Sequence, residues 1–493
     1  MCNRSFRDFL TPLLLTATAA GFISSCATNP VTGTPDMVFM TEAKEIQLGD
    51  SYDSKVKQQY SVYPDPELQA YVQGIGKKLA AQSHRPHLTF HFTVLDSPEI
   101  NAFALPGGHI YITRGILAYF NSEAELAAVL GHEIGHVTAR HGVRQHSAAT
   151  ATGVVGAILG AATGIQATQD LFSVFGNAML SGYGRDHELE SDRLGAEYLA
   201  RTGYDPQAMI KVIGVLKNQE EFEKKRAAAE NRQPRIYHGV FASHPSADKR
   251  LQQVVADGDK FKTLSVPGIK REDYLKRLDK LAYGDGAKEG IRRGRMFYHR
   301  DLNMALTFPE GWRIENSPYA IVSWTPEKEV LVMVKKLTLP SDNTASLESF
   351  LKSQAKLSAQ FHGKPIADMK LPSVTGTDRM SSPFGTRETR VSAVRYGQNA
   401  YLFFGATKEP AAFTRFDPDF IATAASLRPL KPAEKPWAEG QRLRLVRARA
   451  GDAFATLAKA SPLTEYSEST LRLINDKFPD GEPRAGELIK IIE

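Results

Sequence analysis

The spacing of apolar residues predicts a mostly helical first half of the chain, from Thr41 to about Phe261. One stretch with apolar residues three and four positions apart, as on one helix face, contains Leu68, Tyr71, Val72, Ile75 and Leu79. An interruption has a different period, because residues 88–95 alternate between apolar and polar and residues 109–112 follow a Pro-Gly-Gly turn. We therefore expect a short sheet ahead of the next helix.

Beyond residue 296 the pattern changes to short apolar stretches, which predict an α+β domain. Glycines concentrated in residues 266–295 predict a linker ahead of this domain. A proline-bearing hinge at residues 429–436 is expected to precede a last unit. Strands are expected at residues 303–308, 320–324, 330–336, 387–395 and 400–406, and a helix at 347–361.

Composition places the chain among globular proteins. Its 493 residues are 42% hydrophobic and 24% charged, which excludes a disordered or collagen-like chain and favours more than one domain. The net charge of +6, from 61 basic and 55 acidic residues, is small and scattered, so no nucleic-acid partner is expected. The two cysteines, Cys2 and Cys26, lie near the N-terminus, so no disulfide is expected in the folded part.

The N-terminal residues have the pattern of an export signal. Arg4 and Arg7 precede an uncharged apolar run at residues 9–22, which is shorter than the ~20 residues of a spanning helix. The small residues before Cys26 resemble the bacterial lipobox, which implies cleavage before Cys26 and a lipid anchor on its sulfur. Ala27 at the next position implies, by the same resemblance, an outer-membrane location facing the periplasm.

A second uncharged stretch, residues 148–166, is rich in alanine and glycine. Gly156, Gly160 and Gly164 recur every four positions, a spacing that lets another helix approach closely. Alanine and glycine contribute little transfer free energy, so a buried or interfacial helix hairpin is favoured over a membrane span, although both stay open.

The strongest chemical signal is an HExxH motif made by His132, Glu133 and His136. Residues four apart share a helix face, so both imidazoles can bind one metal ion while Glu133 lies beside it. A helix is predicted here independently, because Ser122 and Glu125 form a capping box ahead of an apolar stripe. The two histidines do not complete a catalytic zinc site, since such sites use three protein ligands and leave one position for water.

The third ligand is expected from an acidic cluster about fifty residues downstream. On a helix, Glu188 and Asp192 share a face while Glu190 points elsewhere. One of the two can bind zinc while the other accepts a hydrogen bond from a ligand imidazole, and the spacing leaves the choice open. Taken alone, the cluster would favour an exposed acidic helix start, and its place in a chain with an HExxH helix reverses this preference. Its carboxylates are Asp186, Glu188, Glu190 and Asp192.

The motif and the cluster together resemble the zinc metallopeptidase (gluzincin) family that includes HtpX, BepA and the CAAX prenyl endopeptidase. Ser191 stands where the family usually has alanine. The family pattern R-x-x-E-x-E-x-D is matched at Arg185, Glu188, Glu190 and Asp192. Further matches lie at residues 29–33, 101–108 and 243–245, so the resemblance covers about half of the chain.

The resemblance implies that Glu188 is the third ligand, beside His132 and His136, for one Zn²⁺ per chain. Asp192 is then the second-shell carboxylate that orients a ligand imidazole. Glu133 is expected to act as the general base in hydrolysis of a peptide bond.

Three further histidines are interpreted differently. The resemblance implies that His244, which precedes a proline, can act as a regulatory fourth ligand that keeps the enzyme inactive. An ordinary loop histidine is the alternative for His244. His141 and His146 are expected to be packing or surface residues, since the ligand set is already complete.

We therefore expect a multidomain protein with a mainly α-helical zincin-type peptidase domain that carries a small β-sheet. The α+β domain that follows resembles PsbP-like modules, and the last unit resembles a LysM module, which implies peptidoglycan as a candidate partner. A purely structural cap is the alternative for this last unit. The expected segments are a lipoprotein signal peptide at 1–25, the peptidase domain at 26–265, the linker at 266–295, the α+β domain at 296–432 and the LysM-like module at 438–493.

The predicted function is a zinc-dependent endopeptidase of the cell envelope. Its expected substrates are misfolded or misassembled envelope polypeptides, and a lipid anchor would hold it at the membrane. The alternative is a wall-associated chaperone or assembly-factor lipoprotein with a mostly occluded zinc site. The intact Glu133 favours the enzyme.

Overall fold

The computed structural model describes residues 27–36, 38, 40–147, 183–230, 234, 271–316, 320–340, 346–463 and 465–493. Three features of the sequence lie outside the described residues, namely Cys26, His244 and the stretch 148–166. The chain divides into two compact units, one made of Met1–Leu281 with Leu443–Glu493 and one made of Ala282–Arg442.

Within the described ranges the helices are α1 (Glu42–Gln59), α2 (Pro66–Ala80), α3 (Arg114–Leu117), α4 (Glu123–Thr138), α5 (Arg185–Arg201), α6 (Ala208–Ala229), α7 (Arg271–Arg277), α8 (Leu347–Ala355), α9 (Phe413–Ala425), α10 (Phe454–Lys459) and α11 (Ser467–Ile474). Residues 141–147 are also helical. No helix in these ranges is long and apolar enough to cross a membrane.

The strands are β1 (Ala27–Thr28), β2 (Pro35–Asp36), β3 (His91–Leu95), β4 (Ala102–Ala104), β5 (His109–Thr113), β6 (Ala282–Tyr283), β7 (Ile291–Arg293), β8 (Met296–His299), β9 (Met304–Thr307), β10 (Arg313–Asn316), β11 (Ile321–Trp324), β12 (Val330–Thr338), β13 (Ser373–Ser382), β14 (Gly385–Tyr396), β15 (Asn399–Thr407), β16 (Arg428–Pro429), β17 (Gln441–Arg447) and β18 (Leu488–Ile492).

The first unit combines helices with small sheets, and one of them is the sheet predicted ahead of the HExxH helix. The sheet has the order β3-β5-β4, with β3 parallel and β4 antiparallel to the central β5. Helix α2 begins after Asp65, whose carboxylate accepts a hydrogen bond from the Leu68 amide at 3.0 Å, and this satisfies one of the free donors of the first turn. Its apolar stripe is buried as the spacing predicts, at Leu68, Val72, Ile75 and Leu79.

A buried group of charges joins α1 to the end of α4. Glu45 of α1 is fully buried between two arginines, with its carboxylate 2.7 Å from Arg85 and 2.9 Å from Arg140. Arg85 also donates to the Val137 carbonyl at 3.0 Å, in the last turn of α4. Each of these charges therefore depends on its partners, because a buried charge without a partner is costly.

The second unit is mostly β-sheet, with a helix on each face of its main sheet. Six antiparallel strands have the order β10-β11-β12-β15-β14-β13, and a further sheet has the order β16-β9-β8-β7. Helix α9 packs on the face that carries Val332 and Phe403, and α8 packs on the face that carries Val391 and Leu402. Successive residues of a strand face opposite sides of the sheet, and the strand predictions depend on this two-residue period.

The segment expected to be a linker, residues 266–295, is largely regular structure where it is described. Helix α7 and strands β6 and β7 lie within it. Its glycines occupy turns, since Gly284, Gly290 and Gly294 have φ angles of 66°, 98° and 56°, which glycine adopts at little cost. The glycine-rich composition therefore marks tight turns between short elements.

The last residues of the chain fold as a strand, two helices and a strand within the first unit. Leu443–Arg447 pairs antiparallel with β18, and α10 and α11 lie between them in sequence. Resemblance to a LysM module stays a prediction.

We expect loss of the Glu45 carboxylate to destabilise the first unit strongly. In Glu45→Ala, two buried guanidinium groups lose their shared partner, which should lower the free energy of unfolding by about 3–5 kcal/mol. Urea unfolding followed by far-ultraviolet circular dichroism measures the change. Glu42→Ala is the matched control, because Glu42 also contacts Arg85, at 2.8 Å, but its side chain is 46% exposed, so a loss of at most about 1 kcal/mol is expected. Equal losses of stability in the two variants would show that burial of the Glu45 carboxylate does not determine its contribution.

Candidate metal centre

Helix α4, which carries the HExxH motif, begins at a reciprocal cap. The Ser122 hydroxyl accepts from the Glu125 amide at 3.3 Å and donates to the Glu125 carboxylate at 2.8 Å. The same carboxylate accepts from the Asn121 amide at 2.8 Å. The predicted capping pair is therefore present, and it fixes where the helix starts.

Helix α5 crosses α4 at positions that have small residues on both helices. A Cβ atom at Gly135 would lie 3.0 Å from the Ser191 Cα, and one at Gly195 would lie 3.0 Å from the His132 amide nitrogen. Gly131 also faces Gly195, at a distance of 3.3 Å from a virtual Cβ to the Gly195 Cα. The two backbones thus approach more closely than larger residues would allow.

This close crossing brings three ligand atoms together. The Nε2 atoms of His132 and His136 are 3.0 Å apart. The Glu188 carboxylate lies 3.6 Å from His132 Nε2 and 3.5 Å from His136 Nε2. Among the described residues, this is the group of histidines and acids with the geometry to hold a metal ion, and all three are buried. Two imidazole nitrogens and one carboxylate are a donor set that suits catalytic zinc.

The His132 ring is held from its other side by Asp192. The Asp192 carboxylate is fully buried and lies 2.9 Å from His132 Nδ1. A hydrogen on Nδ1 is therefore donated to Asp192, which leaves the Nε2 lone pair directed toward Glu188. Helical spacing had left open which of Glu188 and Asp192 would face the histidines directly.

The His136 ring is held by a chain of three side chains. His136 Nδ1 lies 2.9 Å from His141 Nδ1, and His141 Nε2 lies 3.0 Å from the Glu190 carboxylate. Arg144 contacts the same carboxylate at 3.2 Å and Asp36 at 2.7 Å. The described N-terminal segment is therefore connected to the metal centre through ordinary polar contacts.

The protonation states of His141 and Glu190 define which groups donate hydrogen bonds. Burial lowers the pKa of His141 to about 4, against the opposing effect of Glu190. Burial raises the pKa of Glu190, but the contacts with His141 and Arg144 outweigh it and lower the value to about 2. At neutral pH a neutral His141 thus donates from Nε2 to an ionised Glu190 and accepts at Nδ1 from His136, which leaves His136 Nε2 available to a metal.

His141 is the residue of this centre whose contact with a ligand the sequence analysis did not anticipate. It is buried, which agrees with a packing role, but it also contacts a histidine of the HExxH motif. It comes after the end of α4, where Arg140 adopts a left-handed φ of 57°, so helical periodicity does not indicate its direction. Glu190, which was expected to point elsewhere, is its partner.

Glu133 is buried and follows His132 on the same helix. Tyr183 stacks on His136, with ring centroids 4.1 Å apart and an interplanar angle of 19°. Burial, and then the charges of Glu133 and Glu188, raise the pKa of the Tyr183 hydroxyl. Both carboxylates therefore act on the Tyr183 hydroxyl, which stays protonated.

A small cavity, with room for about one water molecule, lies next to His136. Its walls include Ala104, Leu105 and Pro106, at the end of strand β4, together with Tyr183. Among the strands that the structure describes, β4 is at an edge of its sheet, with β5 on one side. The end of strand β4 therefore lies beside the His136 side of the centre.

Residues 66–257 match the sequence model of Peptidase family M48. The matched region includes the HExxH helix and the helix that carries Glu188. The chain thus contains a Peptidase family M48 domain, which confirms the metallopeptidase family that its motifs resemble.

Characterised relatives have similar sequences over part of their length. The Beta-barrel assembly-enhancing protease of Escherichia coli (strain K12) is 32% identical over 243 residues, which cover 47% of this chain and 47% of that protein. The Mitochondrial metalloendopeptidase OMA1 of Arabidopsis thaliana is 32% identical over 160 residues, or 31% of each chain. The chain spans about half the length of the first of these relatives.

One similar solved structure is that of cyanobacterial PsbP from Synechocystis sp. PCC 6803. It is 14% identical, with a TM-score of 0.22, and the match covers 29% of this chain and 94% of that chain. A score this low carries no argument, so the PsbP-like resemblance of the second unit stays a prediction.

We expect a side chain at Gly135 to separate α4 from α5 and weaken metal binding. In Gly135→Val the new Cβ meets the Ser191 backbone at 3.0 Å, and such overpacking costs about 1–3 kcal/mol. Zn²⁺ affinity, measured by competition with a chromogenic chelator, should fall at least about tenfold. Gly214→Val is the control, since a Cβ there meets no atom within 4 Å. Unchanged affinity in Gly135→Val would show that the crossing does not position Glu188.

We expect His141→Ala to loosen the His136 ring. Removing the partner of a ligand imidazole typically weakens metal binding by about 10–100-fold, and the same competition assay measures it. His87→Ala is the matched control, because its side chain is 60% exposed and it pairs with Glu42. If both variants bind Zn²⁺ like the parent protein, the hydrogen bonds that link His136 to His141 and His141 to Glu190 have no role in ligand orientation.

Proposed function

We propose that this chain is a zinc-dependent metalloendopeptidase that uses the centre formed by His132, His136 and Glu188. The observation that carries the proposal is the convergence of these buried donors within 3.0–3.6 Å, with Glu133 on the same helix. The family match and the relatives named as proteases support the same activity.

Zinc bound at this centre would polarise the scissile carbonyl and lower the pKa of a water molecule. His132 and His136 would hold the ion through Nε2, with their tautomers fixed by Asp192 and His141. Glu133 takes a proton from the attacking water as the new carbon–oxygen bond forms. It then gives this proton to the amide nitrogen as the carbon–nitrogen bond breaks, so the products are a carboxylic acid and an amine.

The substrate is proposed to be an extended polypeptide. Strand β4 ends beside the cavity at His136 and lies at a sheet edge, where a peptide can add as a further strand. Main-chain hydrogen bonds of this kind tolerate many sequences, which suits an enzyme that acts on misfolded or misassembled polypeptides.

The cell envelope is the proposed location. The export signal and the lipobox-like residues before Cys26 support a lipid anchor in the outer membrane, with the peptidase facing the periplasm. The relative named as a beta-barrel assembly-enhancing protease suggests a role in assembly of outer-membrane proteins. Contact of the C-terminal unit with peptidoglycan and inhibition by His244 are parts of the same proposal that derive from sequence resemblance.

The second candidate is a wall-associated chaperone or assembly factor. It is favoured by the burial of all three ligands, which would suit a centre closed to substrates. Cleavage of an unfolded protein that stops on chelation and returns with Zn²⁺ would favour the enzyme over this candidate.

We expect Glu133→Gln to bind one Zn²⁺ per chain but to lose proteolysis. The amide retains the size of the side chain but accepts no proton, so casein cleavage should fall at least about 100-fold. Glu67→Gln, an exposed position in the first turn of α2, is the control and should cleave normally.

The same variant tests the substrate class. When Glu133→Gln is expressed with its export signal, envelope polypeptides should accumulate on it and be identified by mass spectrometry. Proteolysis by Glu133→Gln at the parent rate would disprove the role of this carboxylate.

A further inference from the structure

The C-terminal residues place one charged side chain against the start of the HExxH helix. Lys490 of β18 is fully buried, and its Nζ donates to the carbonyls of Ala118 and Phe120 at 2.8 Å each. Ala118 is 372 residues away in sequence, and both carbonyls lie in the short segment between α3 and α4. A charge-assisted hydrogen bond with two fixed acceptors defines the position of this segment closely.

The backbone of Lys490 is itself held in place. Asn475, which is also buried, accepts from the Lys490 amide and donates to the Lys490 carbonyl, each at 2.8 Å. It also donates to the Leu471 carbonyl at 2.8 Å, in helix α11. The ammonium group therefore projects from a rigid strand.

A second pair of contacts joins the same two regions. Asn121, which precedes the helix cap, donates to the Ile474 carbonyl at 3.1 Å. Arg271 contacts both sides, since it donates to the Leu488 carbonyl at 2.8 Å and to the Asn121 side chain at 3.3 Å. Because the Asn121 amide donates to Glu125, these contacts lead directly to the helix cap.

The C-terminal unit also rests on α6. Phe222 of α6 lies edge-on to Tyr466 and Phe478, with centroid distances of 5.9 and 6.2 Å. Lys225 and Arg226 lie over the same two rings. The unit is therefore attached at two places of the peptidase body.

The charges at the helix start are matched. Burial lowers the pKa of Lys490, while the charge of Glu125 opposes this change. Burial likewise raises the pKa of Glu125, whereas its hydrogen bonds with Asn121 and Ser122 and the charge of Lys490 favour the carboxylate. Burying the Lys490 ammonium would cost more free energy without the Glu125 carboxylate, and burying the carboxylate would cost more without the ammonium.

We propose that Lys490 is a positioning residue for the metal centre, through which the C-terminal unit holds the first turn of the HExxH helix in place. Residues 443–493 are then a working part of the peptidase, rather than an appended module that only contacts the wall. The effect on the helix is independent of the proposed function, whereas an effect on turnover rests on it.

The test compares Lys490→Met with Lys459→Met in the full-length protein. Methionine keeps the length of the lysine but leaves the carbonyls of Ala118 and Phe120 buried without their donor, while Lys459 is an exposed lysine of the same unit. Hydrogen–deuterium exchange is measured first without metal. Amides of residues 118–126 should exchange about tenfold faster in Lys490→Met than in the control, as expected for one lost charge-assisted bond.

The second readout is Zn²⁺ affinity, which should fall in Lys490→Met and stay unchanged in Lys459→Met. Faster exchange confined to residues 443–493, or equal behaviour of the two variants, would overturn the proposal. If Lys490→Met does not fold, Asn475→Ala decides on the same exchange readout, since it keeps the ammonium group but loosens the Lys490 backbone and removes one bond to α11. If exchange and affinity change as expected while neither the parent nor the variants cleave casein, the positioning role stands and the proposed function fails.

Discussion

The close contact between helices α4 and α5 is the constraint on which the metal centre depends. A carboxylate on one helix reaches two imidazoles on the other because Gly131 and Gly135 face Ser191 and Gly195 with almost no side chain between them. Small residues at this crossing are therefore as necessary as the ligands themselves. They also explain why serine can stand at position 191, since its side chain is small and its hydroxyl lies 3.3 Å from His141.

Burial imposes a second requirement on the centre. A buried imidazole or carboxylate is tolerated only when its other polar atoms also have partners. His132 has Asp192, and His136 has His141, which in turn has Glu190 and Arg144. The rings are thus held in the orientation that a metal needs by the contacts that make their burial possible.

The local parts of this structure could be predicted from the sequence because they depend on helical spacing. The cap at Ser122, the shared face of His132 and His136, and the shared face of Glu188 and Asp192 all follow from residues a few positions apart. Resemblance to the family supplied the choice of Glu188. Strand β12 was predictable because Val330, Val332 and Val334 alternate with residues of the opposite face.

Long-range and non-helical features were not predictable in this way. The direction of His141 is set by a left-handed residue after the helix end, and no periodicity describes such a turn. Strand β13 has few apolar residues, and its pairing with β14 depends on the partner strand. The attachment of Lys490 joins segments 372 residues apart, so neither segment alone indicates it.

The ion pair of Arg144 with Asp36 has a spatial consequence if Cys26 carries a lipid. Asp36 lies ten residues after Cys26, and ten fully extended residues reach at most about 35 Å. Because Asp36 is joined through Arg144, Glu190 and His141 to His136, the reactive centre could not move far from the bilayer surface. Such a tether would hold the candidate metal centre within a few tens of Å of the bilayer that the lipid enters, on the order of the thickness of the membrane itself.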